Sequence, residues 1–161
     1  MAYGIDKVFV FAFGTIIGSF LNVCIHRMPI NKSIVFPSSH CPKCDKSLYW
    51  YDNIPVLSYL MLLGKCRFCR ESIALLYPLV EIITASLMVA SYMAFGFPSV
   101  KFFVYSAFMS ALIVATFIDI NINEIPDSIS LGGLGAGLVL SAIFPALFNT
   151  DLRGVSFINS L

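Results

Sequence analysis

The sequence predicts an all-α polytopic membrane protein of about four transmembrane helices, with a polar loop domain between helices 1 and 2. Three observations carry that prediction. First, 58% of the 161 residues are hydrophobic and only 12% are charged, about half the charge density of an ordinary globular protein, with a mean hydropathy of +0.87. Disorder, collagen-like structure, a secreted disulfide scaffold and a single-domain soluble enzyme are thereby excluded. Second, four windows (8–25, 73–97, 102–118 and 129–148) are nearly free of charge, the second interrupted only by Glu81. About 20 apolar residues at 1.5 Å each cross a hydrocarbon core of roughly 30 Å. Third, seven of the ten basic residues, Arg27, Lys32, Lys43, Lys46, Lys65, Arg67 and Arg70, lie between the first two windows.

Residues 1–25 form the first span. A secretory signal would carry its basic residues before the apolar stretch and a small-residue cleavage site after it. Here only Lys7 precedes it, Arg27 and Lys32 follow, and Cys24, Ile25 and His26 make a poor cleavage site. It reads as a retained anchor. Gly14 and Gly18, four apart, permit close helix contact, and Asn22 places an amide where the helix reaches water. Packing is the plainer role for these residues, but Asn22 is also a candidate functional group.

Residues 26–72 form the loop domain. Short loops rich in Lys and Arg stay in the cytoplasm, so this loop, and with it the return at 119–128, is expected there. Trp50 and the tyrosines around it are expected close to lipid headgroups. The loop holds Cys41-Pro-Lys-Cys44 and, after 21 intervening residues, Cys66-Arg-Phe-Cys69. Two such pairs can present four thiolates to one tetrahedral metal, and zinc fits. Two disulfides are the alternative, disfavoured in a reducing compartment. Four sulfur ligands leave no position for water, so the expected metal is structural; it would supply on the order of 10 kcal/mol that a loop poor in large aliphatics cannot find in a core. His40 is a possible ligand or neighbour of the metal, or simply exposed. Cys24, in the apolar helix, is expected to be packed.

Residues 73–161 carry the remaining spans. Glu81 falls one to two turns inside the second, and an acid within a span is a functional candidate by default; a snorkelling or hydrogen-bonded structural carboxylate is the alternative. Asp119 follows directly on the third span, at the lipid–water boundary, either as a functional acid or as a helix end in water. Asp127 follows Pro126 and is better placed to cap the helix starting near Ser128, although a functional role is also open. Gly133 and Gly137 repeat the small-residue spacing. The glycines at 132–137 do not make a phosphate loop, because no strand precedes them.

With these pieces placed, the sequence closely resembles the type IV prepilin peptidases, also called prepilin leader peptidase/N-methyltransferases. The resemblance rests on GSFLNVCIHRMP (18–29), the four-cysteine loop with WYDNIPVLSYL (50–60), YPLVE (77–81) and IDININEIPDSISL (118–131). It implies a multi-pass protein of the bacterial inner membrane, an aspartic peptidase that removes the leader of type IV prepilins and type II secretion pseudopilins at the cytoplasmic face. Many members also methylate the new N-terminus with S-adenosylmethionine. By resemblance, Asp119 matches the first catalytic aspartate, Cys41, Cys44, Cys66 and Cys69 match the loop cysteines, and Glu81 matches an acid without an assigned role. The partners implied are leader peptides and the bilayer, with no nucleic acid.

An aspartic peptidase needs two carboxylates sharing a proton, one to activate water and one to polarise the scissile carbonyl. The family's second aspartate sits in a Gly-x-Gly-Asp motif that these 161 residues do not contain. Asp151 lacks the glycines and is expected on the far side; Glu124 and Asp127 are too close in sequence to Asp119. The chain is therefore expected to be the N-terminal portion of a longer peptidase, able to insert and bind zinc but inactive alone. The alternatives are a non-catalytic, membrane-anchored zinc module that binds pilins or assembly components, and a protein retaining methyl transfer only.

Overall fold

A computed structural model describes residues 2–123 and 127–144, and among them the regular structure is helical. Three long helices form the bundle: α1 (Ala2–Arg27), α3 (Leu76–Phe95) and α4 (Val100–Ile122). Each is long and apolar enough to cross a membrane. The short α2 (Leu57–Met61) lies in the loop. α5 (Asp127–Ile143) occupies the fourth apolar window, but at 17 residues it is shorter than the other three, about 25 Å at the usual rise. The end of that window, together with Glu124, Pro126, Asp151 and residues 154–161, lies outside the described residues.

Small residues set how the bundle packs. α1 and α3 run antiparallel, and a Cβ built on Gly14 would stand 2.6 Å from the Ala85 Cα, one on Gly18 2.6 Å from the Glu81 Cα. Only hydrogen at these two positions allows backbones that close. One turn beyond Gly18, the Asn22 Nδ2 donates to the Tyr77 carbonyl at 3.0 Å, extending the same register toward the loop. Gly133 and Gly137 differ: nothing lies within 4 Å of a Cβ built on either, so the close contact expected for them is not made among the described residues.

α4 completes the bundle at one end. Leu21, Cys24 and Ile25 of α1, Val80 of α3, and Ile113, Val114 and Ile118 of α4 form a single buried cluster. Cys24 is packed there, as its apolar context predicts. These residues come from the last turns of α1, the first of α3 and the last of α4, so the cluster fixes the end from which the loop emerges. At the opposite end the turn between α3 and α4 stops one helix with Gly96 at φ 70° and starts the next with Ser99, whose hydroxyl accepts from the Phe102 N–H. Such an N-cap satisfies one of the helix's orphan donors. α4 itself ends on Asn123 in the left-handed region at φ 54°, a conformation that asparagine tolerates well.

Candidate functional site

The two Cys-x-x-Cys segments fold alike. In the first, the Cys41 N–H donates to the Lys46 carbonyl and the Asp45 N–H to the Cys41 carbonyl; in the second, the Cys66 N–H donates to Glu71 and the Arg70 N–H to Cys66. Each segment closes on an isolated antiparallel bridge, His40 with Ser47 and Lys65 with Ser72. Each also turns on a non-glycine residue at positive φ, Asp45 at 57° and Arg70 at 61°. The result is two knuckles whose four sulfurs lie within 4.8 Å of one another, placed to hold a metal ion.

All four cysteines are free thiols in this structure. The Cys41 and Cys69 sulfurs are 3.8 Å apart, far beyond a disulfide at about 2.05 Å. That distance is the edge of a tetrahedron with metal–sulfur bonds of about 2.3 Å. Without metal the thiols influence one another. Cys66 is drawn down to about 7, chiefly by the backbone N–H groups of Cys69 and Phe68. Cys69 receives a lowering hydrogen bond from the Glu71 backbone, but burial and the three neighbouring cysteines carry it up to about 12. His40 is not among the clustered ligand atoms; its Nε2 lies 3.8 Å from an Asp45 oxygen.

An ion pair that spacing could not reveal braces this centre. Asp52, in the turn Trp50–Asn53, has a side chain only 2% exposed. Arg67, between the second pair of cysteines, reaches it with Nε at 3.0 Å from Oδ1 and with a terminal nitrogen at 2.6 Å from the same oxygen. This hydrogen bond raises the Arg67 pKa further. A two-pronged guanidinium–carboxylate contact fixes orientation as well as distance. The Arg67 guanidinium also lies 5.1 Å from the centre of the Tyr51 ring.

Below the cysteine cluster, between the loop and the loop end of the bundle, lies a cavity of about 630 Å³. Its lining includes Ser19, Asn22 and His26 from α1, Tyr77 and Glu81 from α3, and Cys41 and Cys66. Glu81 is buried, and its Oε2 accepts from the Val56 N–H at 2.7 Å. Val56 stands at φ 60°, ψ −50°, and the Leu57 N–H donates back to the Pro55 carbonyl, a tight γ-turn that is rare and strained in proteins. Asn22 is 3% exposed, and its Oδ1 has no hydrogen-bond partner among the described residues. The fold thus brings Asn22 and Glu81, both candidates on the strength of the amino-acid sequence, into one chamber beside the cysteines.

Asp119 and Asp127 are placed differently. Asp119 is exposed, one residue past the fully buried Ile118, and so stands at the same end of the bundle as the loop without lining the cavity. Asp127 is exposed and opens α5.

The sequence family of the bacterial peptidase A24 N-terminal domain matches residues 12–95, a stretch that carries the glycine contact, all four cysteines and Glu81. The chain belongs to this family. Among similar proteins, the prepilin leader peptidase/N-methyltransferase of Myxococcus xanthus is 42% identical over 83% of this chain and 40% of its own length. That of Klebsiella pneumoniae is 38% identical over 86% of this chain and 64% of its own length, and that of Bacillus subtilis 40% over 74% and 48%. The chain thus spans about half the length of the curated relatives it matches. No solved structure matches it.

Proposed function

We propose that these residues are part of a prepilin leader peptidase of the inner membrane, with the loop on the cytoplasmic side and Asp119 as one of its two catalytic carboxylates. One observation carries the reading: Asp119 directly follows Ile118, whose side chain is fully buried in the cluster at the loop end of the bundle. A carboxylate there is at the aqueous edge of the helices, on the side where seven of ten basic residues collect, as the positive-inside rule requires of a cytoplasmic face. Zinc is the metal the tetrad suits, since four thiolates in a tetrahedron are its usual structural set. Bound there it would stiffen the loop, and four sulfur ligands would leave no open position for water.

The names of the relatives add methyl transfer. S-adenosylmethionine would supply the methyl group, and the cavity beneath the loop is within the size range of sites for ligands of that bulk, about 300–1,000 Å³. Its polar floor is Glu81, Asn22 and Ser19, and its roof is the cysteine-bearing loop.

Cleavage needs a second acid. The 161 residues are expected to insert and bind zinc without processing a prepilin, whereas the same residues joined to a relative's Gly-x-Gly-Asp segment should process it. Asp119→Asn in the joined chain should abolish processing. Membranes carrying each form, incubated with a prepilin and followed by the mobility shift of the product, make the test. Processing by the 161 residues alone, or by the Asp119→Asn form, would overturn the assignment.

A further inference from the structure

We propose that the floor of the cavity, formed by Glu81, Asn22 and Ser19, is a binding site for a primary ammonium group. The inference deepens the functional reading by naming what the chamber takes, but its test is binding, so it stands or falls without any cleavage or methyl transfer.

The floor holds one buried acceptor without a donor among the described residues, on Asn22, and one buried carboxylate, Glu81, that meets neutral donors. Asn22 is buried at 3% exposure, and its amide orientation is fixed, because Nδ2 donates to the Tyr77 carbonyl at 3.0 Å. A flipped amide would set two oxygens against each other. Oδ1 therefore remains an acceptor without a donor among the described residues, and a buried acceptor left so costs about 1–3 kcal/mol. Such atoms in folded proteins call for a missing partner.

Glu81 compounds the imbalance. Its carboxylate faces the Val56 N–H and the Ser19 hydroxyl, both neutral donors. Burying a charged carboxylate is costly until a cation or a full set of hydrogen bonds answers it. The nearby cations are committed elsewhere: Arg67 is paired with Asp52, and Arg27 donates to the carbonyls of Ser33 at 3.0 Å and Pro37 at 2.8 Å. Lys32 and Lys43, at the rim, are exposed.

A single partner that answers both groups brings positive charge and several N–H donors. A primary ammonium brings one charge and three donors. A divalent metal fits less well, since it favours more charged oxygens than one carboxylate and a neutral amide supply. Two sources could present an ammonium here: the free α-amine of a chain whose leader has been removed, or a lysine side chain of the leader itself.

The test uses the zinc-loaded chain in phospholipid nanodiscs and three short apolar peptides carrying a fluorophore. One has a free α-amine, one is N-acetylated, and one is N-acetylated with a lysine beside its start. Binding is read by anisotropy. The free-amine peptide, or the lysine peptide, should bind about tenfold more tightly than the plain acetylated one; whichever does identifies the source. Glu81→Gln should erase the preference while zinc content is unchanged. Should Glu81→Gln lose zinc, Asn22→Leu, on α1 and remote from the cysteines in sequence, replaces it and should weaken the preference. Equal binding of all three peptides, or a preference that survives either zinc-retaining variant, would overturn the proposal.

Discussion

Gly18→Ala tests the packing on which the site is built. The added Cβ would meet the Glu81 Cα at 2.6 Å, where ordinary contact begins at 3.4 Å, so α1 and α3 must part by about 0.8 Å. The obstructing atom is backbone, and no rotamer change relieves it. Overpacking of this kind costs about 1–3 kcal/mol, and the Asn22–Tyr77 hydrogen bond, now 3.0 Å, would lengthen with the separation. Cys24 offers a reporter: it is buried at 7% exposure in the helix cluster, and with zinc on the other four cysteines it is the one thiol left to react. In detergent, maleimide labelling of Cys24 should accelerate about 5- to 150-fold in Gly18→Ala, the span that 1–3 kcal/mol sets when opening is in fast equilibrium. The comparison is Gly133→Ala, which meets open space and should stabilise its helix by about 0.4–1 kcal/mol through a less flexible unfolded chain. Labelling of Gly18→Ala at the unsubstituted rate would refute the close-contact argument.

Three further outcomes are expected. Cys66→Ser should strip zinc from purified protein, measured by atomic emission, while the chain still fractionates with membranes, since α1, α3 and α4 do not depend on the metal for their apolar length. Zinc should also leave as the pH falls from about 7.5 to about 5, because the ligands bind as thiolates and protons compete for them; a chelating dye would follow the release. Val56→Gly, which tolerates the positive φ without strain, should keep zinc and protease resistance. Val56→Pro both forbids that φ and removes the N–H that Glu81 accepts, so limited proteolysis should cut the loop sooner in that variant.

Much of this architecture was legible from one-dimensional patterns. The three long helices follow from apolar windows, one of them carrying the single acid Glu81, because length and hydropathy alone decide whether a helix can span. The cysteine tetrad follows from pair spacing, and the Gly14–Gly18 contact from small residues one turn apart. Identical spacing at Gly133 and Gly137 predicted the same and meets no neighbour among the described residues, since a small residue permits approach without compelling it. Asp52 with Arg67, 15 positions apart in irregular chain, and Val56 at φ 60° were not legible. Pairing across a loop of short turns follows no periodicity, and a valine is among the least expected residues in that conformation. Asn22 was visible as a polar residue at a helix end; that its carbonyl oxygen meets no donor among the described residues depended on tertiary packing.

The hydrogen bond from Val56 to Glu81 also changes how the polar lobe is hung. Where the peptide enters it after Arg27 and leaves it before Leu76, two covalent posts alone would let it swing like a gate about the line joining them. The carboxylate adds a third post off that line, and three points fix a plane. Together with the bonds from Arg27 to the Ser33 and Pro37 carbonyls, that third post steadies the height and tilt of the sulfur tetrad over the helix ends.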